Sequence, residues 1–126
     1  MTTVLNNRRS AERFMLQTAL VRVVVDAHGT TPDAKGLFEG HAYDVSDSGL
    51  RLELDSALPV GTPVDVELHM PGLGSAIHLV GRVARVFDEI DDPGPRRMGM
   101  NLSGRTPADS ERFTRLLGQA ALGRLV

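Results

Sequence analysis

Two short groups of residues have the types and the spacing to do chemistry. Arg9 and Arg13 form an R-x-x-x-R pair within Arg8-Arg9-Ser10-Ala11-Glu12-Arg13, and Asp44, Ser46 and Gly49 form a D-x-S-x-x-G pattern farther along. A guanidinium is a planar fork that grips a phosphate or the N7/O6 edge of guanine bidentately, and its face stacks on a base. A carboxylate accepts two parallel N–H donors, and a serine hydroxyl both donates and accepts. Glycine lets the backbone turn with φ > 0 or come close to a ligand. Taken alone, the first group also reads as a solvated polar tail, and the second as an ordinary β-turn.

Composition narrows the classes of function. The chain has 126 residues, 41% hydrophobic and 24% charged, which suits one globular domain. Thirteen of its fourteen basic residues are arginine, a bias that a GC-rich genome also produces, so position must decide which of them matter. The formal net charge of −2 argues against general affinity for nucleic acid polymers or anionic lipid. Cysteine is absent, which excludes disulfides and thiolate metal sites and fits a reducing compartment. The N-terminus lacks the apolar run of a signal peptide, and no stretch nears the length of a membrane span, so a cytoplasmic location is expected.

No catalytic constellation is visible. Serines lack a nucleophile-elbow context, and neither a P-loop nor a GxGxxG is present. His28, His41, His69 and His78 lack metal-ligand spacing. Asp88-Glu89-Ile90-Asp91-Asp92 reads as a solvated loop tip without the glycine or spacing of an EF-hand. The expectation is a non-enzymatic domain without metal or cofactor.

The elements that must position the two groups follow from hydrophobic period. Residues 1–13 carry no apolar period and read as a flexible arm, with a single domain over 14–126. Strands are expected over 20–25, 38–45, 50–54, 63–70, 77–87 and 97–102, each apolar on one face, with Gly81 marking a bulge or a close backbone approach. The period then changes. Thr106 caps a helix expected over about 107–122, with Pro107 in its first turn and Phe113, Leu116, Leu117 and Ala120 along one stripe. Six short half-polar strands must curl around their apolar side, and closure removes their exposed edges. The fold class is therefore mainly β: a six-stranded antiparallel β-barrel with a C-terminal α-helix. The pattern from Asp44 to Gly49 joins two of its strands.

The two patterns, in this order and on this architecture, resemble the PilZ domain family, with the resemblance running from Arg8 through the helix. GRVARV (81–86) and RRMGMNL (96–102) also look like later strands of that family. The resemblance implies a split-barrel fold and a receptor or adaptor that binds the bacterial second messenger cyclic di-GMP. It assigns the ligand to Arg8, Arg9, Arg13, Asp44, Ser46 and Gly49, and it implies an arm that becomes ordered on binding and signals to a downstream protein. Arg8, just before the pair, resembles an arrangement holding two intercalated ligand molecules per chain. The alternative is a PilZ-like interaction module, related to pilus or motility machinery, that does not bind the nucleotide.

Overall fold

The computed structural model describes residues 12–25, 36–87 and 96–123. The order of elements is β1 (Phe14–Val25), β2 (Gly36–Ser46), β3 (Gly49–Leu54), β4 (Pro63–His69), β5 (Ile77–Phe87), β6 (Arg96–Gly104) and α1 (Pro107–Ala121). All neighbouring strands are antiparallel, and the sheet closes in the order β1-β2-β3-β6-β5-β4. Alternation does the closing. Leu50, Leu52 and Leu54 of β3, Val64, Val66 and Leu68 of β4, and Met98, Met100 and Leu102 of β6 all point into one buried core. With no Trp in the chain, branched aliphatics and methionines fill the interior.

The first strand begins earlier than its sequence period suggests. Leu16 and Ala19 are both buried, with Gln17 and Thr18 exposed between them. The register against β2 slips between Met15 and Ala19, where Thr18 has φ 56°. This β-bulge breaks the two-residue alternation, so a period search stops at Leu20 although the strand continues back to Phe14. Gly81 fulfils the second of its two expected roles. A Cβ there would lie 1.8 Å from the Asn101 carbonyl oxygen, and the bulge of β5 falls three residues later, at Ala84.

The helix begins as its sequence dictates. Thr106 Oγ1 accepts the Asp109 backbone N–H and donates to Asp109 Oδ2, while Asp109 Oδ1 accepts the His78 backbone N–H. These bonds tie the helix start to β5. Phe113, Leu116 and Ala120 join the core, with Leu117 packed beside them, and the helix lies against β1, β2, β5 and β6. Arg112 donates to the carbonyl oxygens of Leu73, Ser75 and Ala76, which fixes the β4–β5 turn. Gly123, at φ 71°, supplies the left-handed residue that ends the helix. No helix among the described residues is long and apolar enough to cross a membrane.

Asp109 gives the fold a pH signature. The His78 backbone N–H, followed by the Thr106 hydroxyl, holds its carboxyl below the ordinary value of 3.8. A depressed folded-state pKa means that the unfolded chain binds more protons across that window, so stability rises with pH there. The contribution is complete above the unfolded value and is lost as pH falls through the folded one. Asp109→Asn is therefore expected to lower the melting temperature at neutral pH, with the gap to the wild type closing below pH 3.8. Melting curves of both proteins from pH 2 to 7 check this, and a pH-independent gap would contradict it.

Candidate ligand-binding site

The D-x-S-x-x-G pattern forms the β2–β3 hairpin. Ser46 pairs with Gly49 across the two turn residues Asp47 and Ser48, and Asp44 pairs with Arg51. A bulge at Tyr43 decides which way Asp44 faces. Ala42 opposes Leu52 and Asp44 opposes Arg51, so three residues of β2 face two of β3. Ala42 lies in the core, and strict alternation would send Asp44 there as well. The extra residue turns it to the outer face, beside the side chain of Arg51.

Asp44 is only 3% exposed because two guanidinium groups cover it. Arg13 Nε donates to Oδ1, and Arg51 contacts both oxygens, with Nε 2.8 Å and Nη2 2.7 Å from Oδ2. Arg13 Nη1 also donates to Ser46 Oγ at 3.1 Å, and Ser46 Oγ accepts the Ser48 backbone N–H. Ser46 is fully buried. The bond to Asp44 is the leading cause that raises the Arg51 pKa, so this guanidinium stays charged. Tyr43 lies within cation–π range of both Arg51 and Arg97, 5.9 Å from each. Burial is the main cause that raises the Tyr43 pKa.

Beside this cluster an open cleft of about 530 Å³ crosses the outer faces of β3, β6 and β5. Arg13, Arg51, Arg85, Phe87, Gly99 and Asn101 are among the residues that line it. Three of the six residues singled out from sequence, Asp44, Ser46 and Arg13, thus meet in one hydrogen-bonded cluster. Gly49 adjoins it in the hairpin, but its own close neighbour is β6. It has φ 154°, and a Cβ there would lie 1.9 Å from the Met100 carbonyl oxygen. Arg8 and Arg9, with the rest of the expected arm through Ala11, lie outside the described residues.

Sequence reasoning missed Arg51, Arg85 and Gly99. Arg51 carried a usable signal. A two-residue turn between Ser46 and Gly49 fixes the hairpin register and sets Arg51 opposite Asp44. Arg85 carried none, because the bulge at Ala84 that turns it outward is not visible as a period.

Comparisons with known proteins bear on the family and the fold. The family model for the PilZ domain matches residues 7–119. The PilZ domain with c-di-GMP of YcgR from Escherichia coli is similar at 14% identity and TM-score 0.63, over 88% of this chain and 89% of that one. The K. pneumonia MrkH–c-di-GMP complex is similar at 17% identity and TM-score 0.67, over 88% of this chain and 51% of that one. The Bacillus subtilis inhibitor of motility (MotI/DgrA) is similar at 14% identity and TM-score 0.58, over 88% and 51%. The chain thus spans about half the length of the MrkH and MotI chains. A search of curated protein sequences finds no match.

Proposed function

The chain belongs to the PilZ domain family, and from that premise we propose that it is a receptor for cyclic di-GMP rather than an enzyme. The single observation that carries this reading is the convergence of Arg13, Asp44 and Ser46 at the edge of a cleft lined by arginines. Two of the similar structures, YcgR and MrkH, are described with c-di-GMP, which supports the same ligand here.

The ligand chemistry fits these residue types. Cyclic di-GMP presents two phosphates and two guanines, each with an N7/O6 acceptor edge and an edge carrying N1–H and N2–H. Arginine suits the phosphates and the N7/O6 edge. Asp44 suits the N1–H and N2–H donors, and to receive them it must exchange at least one of its present guanidinium partners. Arg13 and Arg51 then turn toward phosphate or stack on a base. The proposal keeps Arg8, Arg9, Arg13, Asp44, Ser46 and Gly49 as the ligand set. It also assigns to residues 1–13 the part of an arm that becomes ordered on the ligand and signals to a downstream protein in the cytoplasm. Each good bidentate contact contributes about 1–3 kcal/mol and opposes the conformational entropy lost in ordering the arm.

Calorimetric titration with cyclic di-GMP, with GTP and cyclic di-AMP as controls, tests the reading. Saturable binding of cyclic di-GMP alone is expected, at two ligands per chain. Arg13→Ala is expected to weaken it by about 1–3 kcal/mol, and hydrogen exchange in residues 1–13 should slow once ligand is present. Calorimetric silence would reject the receptor and favour an interaction module without the nucleotide.

A further inference from the structure

Strand pairing places a row of residues around the outer face of the barrel. Asp44 of β2 pairs with Arg51 of β3, Arg51 with Gly99 of β6, and Gly99 with Arg85 of β5. Arg85 owes its place in this row to the β5 bulge. Val83 is buried opposite Met100, and alternation would put Arg85 inside with it. Ala84 and Arg85 together oppose Gly99, so both are exposed.

Gly99 leaves a gap between the two arginines. A Cβ built on it would be 3.8 Å from Arg51 Cγ, 3.8 Å from Arg85 Cβ and 3.9 Å from Phe87 Cε2. These three side chains therefore border a space that the missing side chain leaves open within the cleft. The charges around it are unbalanced. Arg13, Arg51 and Arg85 line the cleft, and the carboxylate of Asp44 engages only the first two. Arg51 gives Asp44 its Nε and Nη2 hydrogens, so those on Nη1 are uncommitted among the described residues. Arg85 has no ion pair or side-chain hydrogen bond among the described residues.

We propose that Arg85 and Arg51 form a phosphate clamp across Gly99, so that one phosphate of the bound dinucleotide lies over that glycine and a base edge reaches the Phe87 ring. The clamp rests on the cyclic di-GMP reading and extends it beyond the hairpin and arm to the far wall of the cleft. Two guanidinium groups facing one space repel each other unless an anion lies between them, and a phosphodiester is the right size and charge for that position. A guanidinium fork also fixes the phosphate's orientation, which a lone ammonium does not. The clamp thus selects a ligand whose phosphate is held at a set distance from the guanine that Asp44 reads.

Cyclic di-GMP titrated into the full chain at two salt concentrations tests the clamp, with Arg85→Gln, Arg85→Lys and the charge-matched control Arg82→Gln. Arg82 lies on the same strand but donates to the Gly61 carbonyl, away from the cleft. Arg85→Gln is expected to weaken binding by about tenfold to a hundredfold and to flatten its salt dependence, with the melting temperature unchanged. Arg85→Lys should recover part of the loss, and Arg82→Gln should bind as the wild type does. Gly99→Val, which fills the gap, should weaken binding as Arg85→Gln does. If the wild type binds and Arg85→Gln binds equally well, the clamp is wrong and the receptor reading stands. If the wild type shows no binding, both are rejected.

Discussion

Asp44→Ala is expected to reduce cyclic di-GMP affinity by at least about thirtyfold and to destabilise the fold by roughly 1–3 kcal/mol. The affinity loss follows from the only described carboxylate bonded within the cluster. Without it, the hydrogen-bonded cluster keeps no carboxylate among the described residues to accept the paired N1–H and N2–H donors of a guanine. Two guanidinium groups also lose their shared anchor, so Arg13 and Arg51 no longer meet the ligand from fixed positions. The stability loss follows from burial. Asp44 is almost completely covered, and its removal leaves Arg13 and Arg51 facing each other without a counter-charge. Arg51 remains 37% exposed and Arg13 21% exposed, so solvent screens much of that repulsion and keeps the cost below that of a fully interior pair. The D-x-S-x-x-G pattern taken as an ordinary turn suggests almost no stability effect; the ion pairs of Asp44 with Arg13 and Arg51 make the difference. Asp44→Asn keeps an acceptor and the side-chain volume, and should fall between wild type and alanine in both measurements. Calorimetry and thermal melting of the three proteins decide this, and unchanged affinity in Asp44→Ala would remove the receptor reading.

Gly49→Ala is expected to cost about 2–4 kcal/mol of stability and to lower the melting temperature by roughly 10 °C, with Gly49→Val worse still. Two independent constraints act at this residue. Its φ of 154° disfavours any L side chain, and an added Cβ would meet the Met100 carbonyl oxygen at 1.9 Å. That oxygen is backbone and cannot rotate away, so β3 and β6 would have to separate at the point where Ser48 accepts the Leu102 backbone N–H. The hairpin carrying Asp44 and Ser46 would shift with them. Chemical denaturation separates this outcome from a pocket defect. The expected loss appears in the midpoint without ligand present, and a Gly49→Ala protein as stable as wild type would refute the argument.

How much of this was legible before folding differs from residue to residue. Alternation in LRLEL or PVDVELHM states which side chains face the core, because strand side chains point to opposite faces with a period of two. The cap at Thr106 and the stripe through Phe113, Leu116 and Ala120 are equally local, since each depends on neighbours within a few positions. Local information also covers the choice of Asp, Ser and Gly in the β2–β3 turn. Arg51 could have been added by reading the hairpin register outward from that turn.

The rest depends on contacts between residues far apart in the chain. Three bulges, near Thr18, at Tyr43 and at Ala84, break the period where the sequence gives no sign of it. Each arises because closing a six-stranded barrel requires some strands to bend more than their partners, and an extra residue on one side supplies the bend. The bulges then decide the orientation of two side chains of the proposed site, turning Asp44 and Arg85 to the outer face where alternation alone would point them into the core. Gly99 shows the same division. In sequence it is one small residue in an alternating strand, whereas between Arg51 and Arg85 it becomes a gap in the cleft. The sequence by itself determined the six strands, the closing helix and the chemical types available for binding. Only the tertiary structure decided which of thirteen arginines share a site, because that depends on strand order and register, which are properties of the closed sheet and not of any segment within it.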